Sequence, residues 1–169
     1  MRRAEGHLVG VQRDQLVVLV FEVDGHRYAI DTDCVHEIVR AVQPSRLPKG
    51  PDVVTGVINA RGEILPLLDL RVRFGLPAMP MRVHDVFVIV QTSLRRIAFR
   101  ADRACALMRV PLHDISTLSQ NVPRAQYAAG TARLSDGLLL ICDVELFLDE
   151  AERVTLAGAL AECAEGSAP

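Results

Sequence analysis

Val53-Val54-Thr55-Gly56-Val57-Ile58-Asn59-Ala60-Arg61-Gly62-Glu63-Ile64-Leu65-Pro66-Leu67-Leu68-Asp69-Leu70 is the stretch on which the reading of this chain turns. Two apolar runs, 53–60 and 63–68, flank Arg61-Gly62. Strand-length runs around a glycine-containing pair predict a β-hairpin. Gly62 can supply the positive φ of a tight turn, and Asn59 can hydrogen-bond it. Arg61 is then left exposed at the tip, on a short and stiff support. There it is equally an interface anchor, whose fork makes several directed bonds, or a solvated turn residue. Asp69 next opens a short helical turn over 70–74 and Gly75 closes it. Aspartate at an N-cap and glycine just past a C-terminus are the chemistry those ends require.

Working outward, the same order recurs. Runs 16–23 and 26–30 pair around Asp24-Gly25, a strong hairpin signal. Runs 86–92 and 95–100 form a third pair, and 128–134 with 137–142 a fourth, turning at Asp136-Gly137. Asp143 caps 144–147 as Asp69 caps 70–74, and Asp102 reads as the cap of a helical turn over 103–107. Gly56/Gly130, Leu65/Leu139 and Asp69/Asp143 share one spacing along the chain, and Ala29/Ala98 and Asp33/Asp102 share a slightly shorter one. The difference falls in a loop, where length changes cost little.

The reading is of two related β units, 16–75 and 86–148, joined by a Pro-rich connector over 76–85. Units of that size are marginal alone, so each is expected to bury apolar surface against the other. Short strands with regular turns favour barrels or sandwiches. The fold class is therefore mainly β. Residues 1–15 form an N-terminal extension to a domain over 16–150, with a C-terminal helix and tail over 151–169. The helical pattern begins near Asp149, with Leu156, Leu160 and Cys163 on one face.

Composition removes several function classes. The chain has 169 residues, half of them hydrophobic, and a net charge of −2. All of the basic residues except Lys49 are arginines, scattered along the chain, which is not the footprint of a nucleic-acid binder. The apolar runs are strand-sized, far below the ~20 residues of a spanning helix. Glu5, Arg13 and Asp14 interrupt any signal-peptide core after Arg2 and Arg3. A cytoplasmic protein without membrane insertion is expected. Cys34, Cys105, Cys142 and Cys163 show no paired spacing and read as free thiols of a reducing compartment.

The five histidines (His7, His26, His36, His84, His113) lack the spacing of a zinc site and read as surface residues. Asp31 and Asp33 read as turn and cap residues. Neither a phosphate-binding Gly-Lys loop nor a Gly-x-Ser-x-Gly elbow is present. No enzyme activity, metal or cofactor is expected, and a small β-barrel enzyme or ligand-binding protein is the remote alternative.

From about Val17 to Leu148 the sequence resembles the CheW family, the coupling proteins of bacterial chemosensory arrays. The resemblance is carried by Phe21…Tyr28-Ala29-Ile30, by Val35-His36-Glu37-Ile38, by Leu47-Pro48…Pro51, and above all by the run from Gly56 to Arg71. It implies two five-stranded SH3-like barrels sharing an apolar interface. It also implies a non-enzymatic adaptor that bridges the cytoplasmic hairpin tip of transmembrane chemoreceptors to the CheW-like regulatory domain of the histidine kinase CheA. By position, Val35, Glu37, Ile38 and Arg61 match places the family uses in or near partner contacts. Gly56, Asn59 and Gly62 match the turn that supports them. A chemosensory system with another output, such as pili or a second messenger, is the alternative within the family.

Overall fold

The computed structural model describes residues 14–117 and 124–166. The expected N-terminal extension, but for residues 14 and 15, and the last three residues of the tail lie outside that range. The strands run β1 Gln15–Val23, β2 His26–Asp31, β3 Val35–Arg40, β4 Val54–Ala60, β5 Glu63–Asp69, β6 Val86–Gln91, β7 Arg96–Ala101, β8 Arg103–Pro111, β9 Ile115–Ser116, β10 Ala128–Leu134 and β11 Gly137–Cys142. Helix α1 covers Leu70–Phe74 and helix α2 covers Glu150–Gly166.

Local chemistry explains the ends. At the first hairpin tip Asp24 and Gly25 have φ of 53° and 73°, and at the second Arg61 and Gly62 have 53° and 85°. Two left-handed residues in succession give the turn whose twist matches antiparallel strands. Asp69 accepts a hydrogen bond from the Arg71 amide at 2.9 Å, and Gly75 closes α1 in the left-handed conformation. Asp143 does the same for the Glu145 amide at 3.0 Å, opening a 3-10 turn over Val144–Phe147. The two caps share their backbone conformation, φ −103° and ψ 107° against φ −98° and ψ 114°.

Two sheets result, β3-β6-β7-β5-β4 and β8-β1-β2-β11-β10-β9, the sixth strand of the second being only two residues long. These are two SH3-like barrels followed by a C-terminal helix. Each sheet draws on both halves of the sequence: β5 joins β7, and β11 joins β2, in parallel. The division into 16–75 and 86–148 thus describes the sequence repeat, while the hairpins β1–β2 and β6–β7 are exchanged between the barrels.

The repeat extends to the barrel interiors. One is filled by Ile58, Leu65, Leu67, Phe87, Ile89 and Ala98. The other holds, in the same order, their counterparts Ala132, Leu139, Ile141, Val18, Val20 and Ala29. The first three follow the longer spacing of the repeat and the last three the shorter one. The register shifts agree as well, at Val54/Gly56 and at Ala128/Gly130. A Cβ on Gly56 would stand 2.3 Å from the Ser45 carbonyl oxygen, and one on Gly130 2.8 Å from Ile115 Cγ2. At both sites a crossing segment leaves no room for a side chain.

One expectation is overturned. Residues 103–107 are not helical but belong to β8, which pairs with β1 from Gln15↔Pro111 to Glu22↔Arg103. The backbone groups a helical turn would use are taken by that ladder. Asp102 is no cap: its carboxylate accepts from Arg71 at 2.7 Å and from the Asp24 amide at 2.8 Å. The Asp33/Asp102 match is therefore not structural, since Asp33 lies in a 3-10 turn, Thr32–Cys34, capped by Asp31.

Between the barrels runs the main apolar seam, with Phe21, Phe99 and Phe147 fully buried. Phe99 lies 5.0 Å from Phe21 and 5.6 Å from Phe147, centroid to centroid. Helix α2 lays Leu156 and Ala159 into the seam, with Leu160 and Cys163 half-buried beside them, as its pattern predicts except for Ala159. It begins with a reciprocal capping box, in which Asp149 and Glu152 each accept the other's amide hydrogen.

Because Phe99 of the five-stranded sheet packs on two rings from the other side of the seam, Phe21 and Phe147, Phe99→Ala is expected to cost about 3–5 kcal/mol. Both barrels should unfold in one urea transition, before and after the substitution. Two separate transitions, followed by probes in each barrel, would show that the seam does not couple them.

Candidate functional site

Strand β3 is an edge of the five-stranded sheet and pairs only with β6. Successive side chains of a strand point to opposite faces, and β3 alternates accordingly. Val35, Glu37 and Val39 are half-buried, while His36, Ile38 and Arg40 are exposed. At the other end of the same sheet stands the β4–β5 turn, with Arg61 at its tip. Arg61 reaches across the open side and donates to Glu37 at 3.1 Å. The ion pair ties the two edges of the barrel. The Glu37 side chain is 20% exposed and that of Arg61 83%.

The turn is stiff for identifiable reasons. Asn59 Oδ1 accepts from the Gly62 amide at 2.9 Å. Gly62 takes the left-handed conformation with no atom near its missing side chain, and Arg61 takes it as well. Gly56 is placed elsewhere. It lies in β4 away from the turn and permits the close approach of Ser45 rather than the turn conformation. Its support of Arg61 is indirect, through the seating of β4.

The expected residues thus meet only in part. Glu37 and Arg61 are in contact. Val35 packs inward against the seam at the start of β3. Ile38, 41% exposed, lies on the outer face. Sequence reasoning missed a second ion pair, Arg96 to Glu63 at 3.1 Å, beside the first. With His36, Ala60, Leu65 and Ile89 the two pairs line a cleft of about 100 Å³. Glu63 and Arg96 are far apart in sequence, and no spacing announces that they meet. The cleft has an apolar floor and a rim of alternating charge. A larger cleft of about 490 Å³ opens beside Asp14, Asp31, Asp33 and Arg109, and none of the four partner-face candidates lines it.

The cysteine next to this face is inert. Burial, with Asp31 adding to it, pushes the Cys34 thiol up to about 11, and burial pushes Cys142 up to about 12. Cys105 is exposed on β8. The four described histidines are exposed, and no cluster of metal-binding side chains occurs among the described residues.

A family model for the CheW-like domain matches residues 17–152. The chemotaxis protein CheW of Helicobacter pylori is 31% identical over 154 residues, covering 87% of this chain and 92% of that one. The chemotaxis protein CheW of Bacillus subtilis is 27% identical over 135 residues, covering 79% and 86%. Among solved structures, the scaffolding protein TtCheW of Thermoanaerobacter tengcongensis superposes with a TM-score of 0.75 at 21% identity, covering 90% of this chain and 96% of that one.

Arg61→Ala should leave thermal stability within about 0.5 kcal/mol of the parent, because an exposed ion pair contributes little. A large loss of melting temperature would make Arg61 a structural strut. Cys105 should react with a thiol reagent at neutral pH long before Cys34 or Cys142, because only thiolate reacts. The same raised values set a sign for stability. Above the usual 9.0 the unfolded chain loses these protons while the folded chain keeps them, so stability is full below about pH 9 and falls as pH rises toward 11. Urea midpoints that rise between pH 8 and 10 would contradict this.

Proposed function

The chain belongs to the CheW-like domain family, and from that premise we propose that it is a non-enzymatic cytoplasmic adaptor that couples chemoreceptors to the histidine kinase CheA in a bacterial chemosensory array. A scaffold role in chemotaxis follows from the family. The two named partners and the location are the further step. No helix among the described residues is long and apolar enough to cross a membrane, so placement at a receptor would come through protein contacts.

The observation that carries the reading is the contact of Arg61 with Glu37 at the edge of the five-stranded sheet. A rigid turn presents an 83% exposed arginine joined to Glu37 on an edge strand, whose next residue, Ile38, is exposed on the other face. Arginine at an interface centre is enriched among the residues that dominate binding energy, where truncation costs about 2 kcal/mol or more. Holding Arg61 in place before docking limits the entropy lost on binding. We assign this edge to the receptor's cytoplasmic hairpin tip and a separate surface to the CheW-like regulatory domain of the kinase. An adaptor must hold both partners at once. Each link is expected to be modest, since transient signalling contacts are small. Many copies at a membrane array then supply avidity.

The test uses two binding assays on one panel of variants. Arg61→Ala, Val35→Ala and Glu37→Gln should weaken receptor binding about tenfold or more while changing kinase binding less than about threefold, with the fold intact by circular dichroism. If every damaging surface substitution lowered both affinities in proportion, a single shared site would be indicated and the bridging mechanism would be abandoned.

A further inference from the structure

Two contacts span the barrels at positions related by the internal repeat. Arg71 follows Leu70 at the start of α1, and its counterpart, at the spacing that relates Asp69 to Asp143, is Glu145. Each faces the tip of a hairpin in the opposite barrel. For Arg71 the tip is at Asp24; for Glu145 it is at Ser93, which matches Asp24 at the spacing that relates Ala29 to Ala98. Glu145 is an acceptor and takes the Ser93 amide and hydroxyl itself, the hydroxyl at 2.9 Å. Arg71 has only donors and cannot take an amide hydrogen. Asp102 is interposed: its Oδ2 accepts both from Arg71 and from the Asp24 amide. The two contacts do the same work with different chemistry.

Their surroundings differ more. Arg71 is 1% exposed and the Asp102 side chain 11%. Removing one partner of a buried pair strands the other charge and is strongly destabilising. The Asp24 tip is fixed to that pair. Ser93 is exposed and the Glu145 side chain, which Arg153 of α2 also faces at 3.6 Å, is 35% exposed, so water replaces Ser93 at little loss. Leu94, the other tip residue, is 66% exposed and adds little anchoring. Beneath this second tip lies a cavity of about 20 Å³ with an apolar wall of Leu94, Ile97, Val144, Leu148 and Leu156 and a polar rim of Thr92, Arg95, Glu145 and Arg153.

We propose that the β6–β7 hairpin tip is a releasable strap, held to the opposite barrel by the Glu145–Ser93 contact, which opens independently of its fixed counterpart at Asp24 and uncovers the small cavity beneath. The strap gives the seam one compliant end and one rigid end. Nothing in this depends on which partners the chain binds.

Hydrogen exchange on the full chain tests it. After correction for intrinsic rates, the Ser93 amide should exchange about tenfold or more faster than that of Asp24, since it opens locally rather than with the whole fold. In Glu145→Ala it should exchange several-fold faster still, with Asp24 unchanged and the melting temperature nearly so. Glu145→Gln keeps an acceptor and should restore most of the protection. A thiol placed beneath the strap by Val144→Cys, followed by peptide mass, should be alkylated several-fold faster when combined with Glu145→Ala. Equal exchange at the two tips would overturn the proposal. So would a Glu145→Ala variant as destabilised as Asp102→Ala, or one that does not fold, because the contact would then be a structural member. Unchanged alkylation would remove the uncovering of the cavity.

Discussion

The burial of two small barrels against each other is the constraint from which the rest of the structure follows. A five-stranded sheet of short strands encloses an interior of only a handful of side chains, such as Ile58, Leu65, Leu67, Phe87, Ile89 and Ala98. A core of that size does not outweigh the entropy of ordering its own chain. The larger apolar cluster is the one between the barrels, and Phe21, Phe99 and Phe147 at its centre come from three different hairpins or turns. Exchange of hairpins strengthens the arrangement. Because β1–β2 is hydrogen-bonded to β11 and β8, and β7 to β5, the barrels cannot separate without breaking their own sheets. The chain folds as one body although its sequence repeats.

Much of this was legible, and for physical reasons. Hairpins declare themselves where the turn demands special dihedral angles, as at Asp24-Gly25 and Arg61-Gly62. Helix starts declare themselves where a side chain must satisfy an amide, as at Asp69 and Asp143. The matched Gly56 and Gly130 mark places where a second segment passes too close for a Cβ. Each of these is a local requirement written into one or two residues. What stayed hidden was non-local. The exposure of β8 does not alternate, and its sequence carries no period of two. Asp102 looked like a cap because its true partner, Arg71, is distant in sequence. The buried Asp85–Arg100 pair, which with the Met79 and Pro80 carbonyls pins the connector, was equally silent.

The candidate site divides along the same line. The exposed arginine on a glycine turn could be read from the hairpin chemistry. That Arg61 itself adopts a left-handed backbone could not, since arginine shows no preference for it, and neither could its reach to Glu37. The ion pair depends on the sheet order, which brings the first and last strands of one barrel face to face. Resemblance to a family named the residues, and the structure supplies the physical reason that two of them belong together. It also places Gly56 within β4, away from the turn.

Equivalent positions that keep or lose their chemistry say most about what the two barrels do. Ile38 and Ile64 are exposed aliphatics in one barrel, and their repeat counterparts Leu107 and Leu138 are exposed in the other. Exposed aliphatics are retained at both pairs of positions. The charges are not. Glu37 corresponds to Ala106 and Arg61 to Ser135, so the ion pair that crosses the first barrel has no counterpart across the second. A repeat kept for stability alone has no need to leave aliphatic side chains in water at matching places, since they contribute nothing to the core. Surfaces alike in shape and unlike in charge discriminate between partners through repulsion and unpaired charge as much as through attraction.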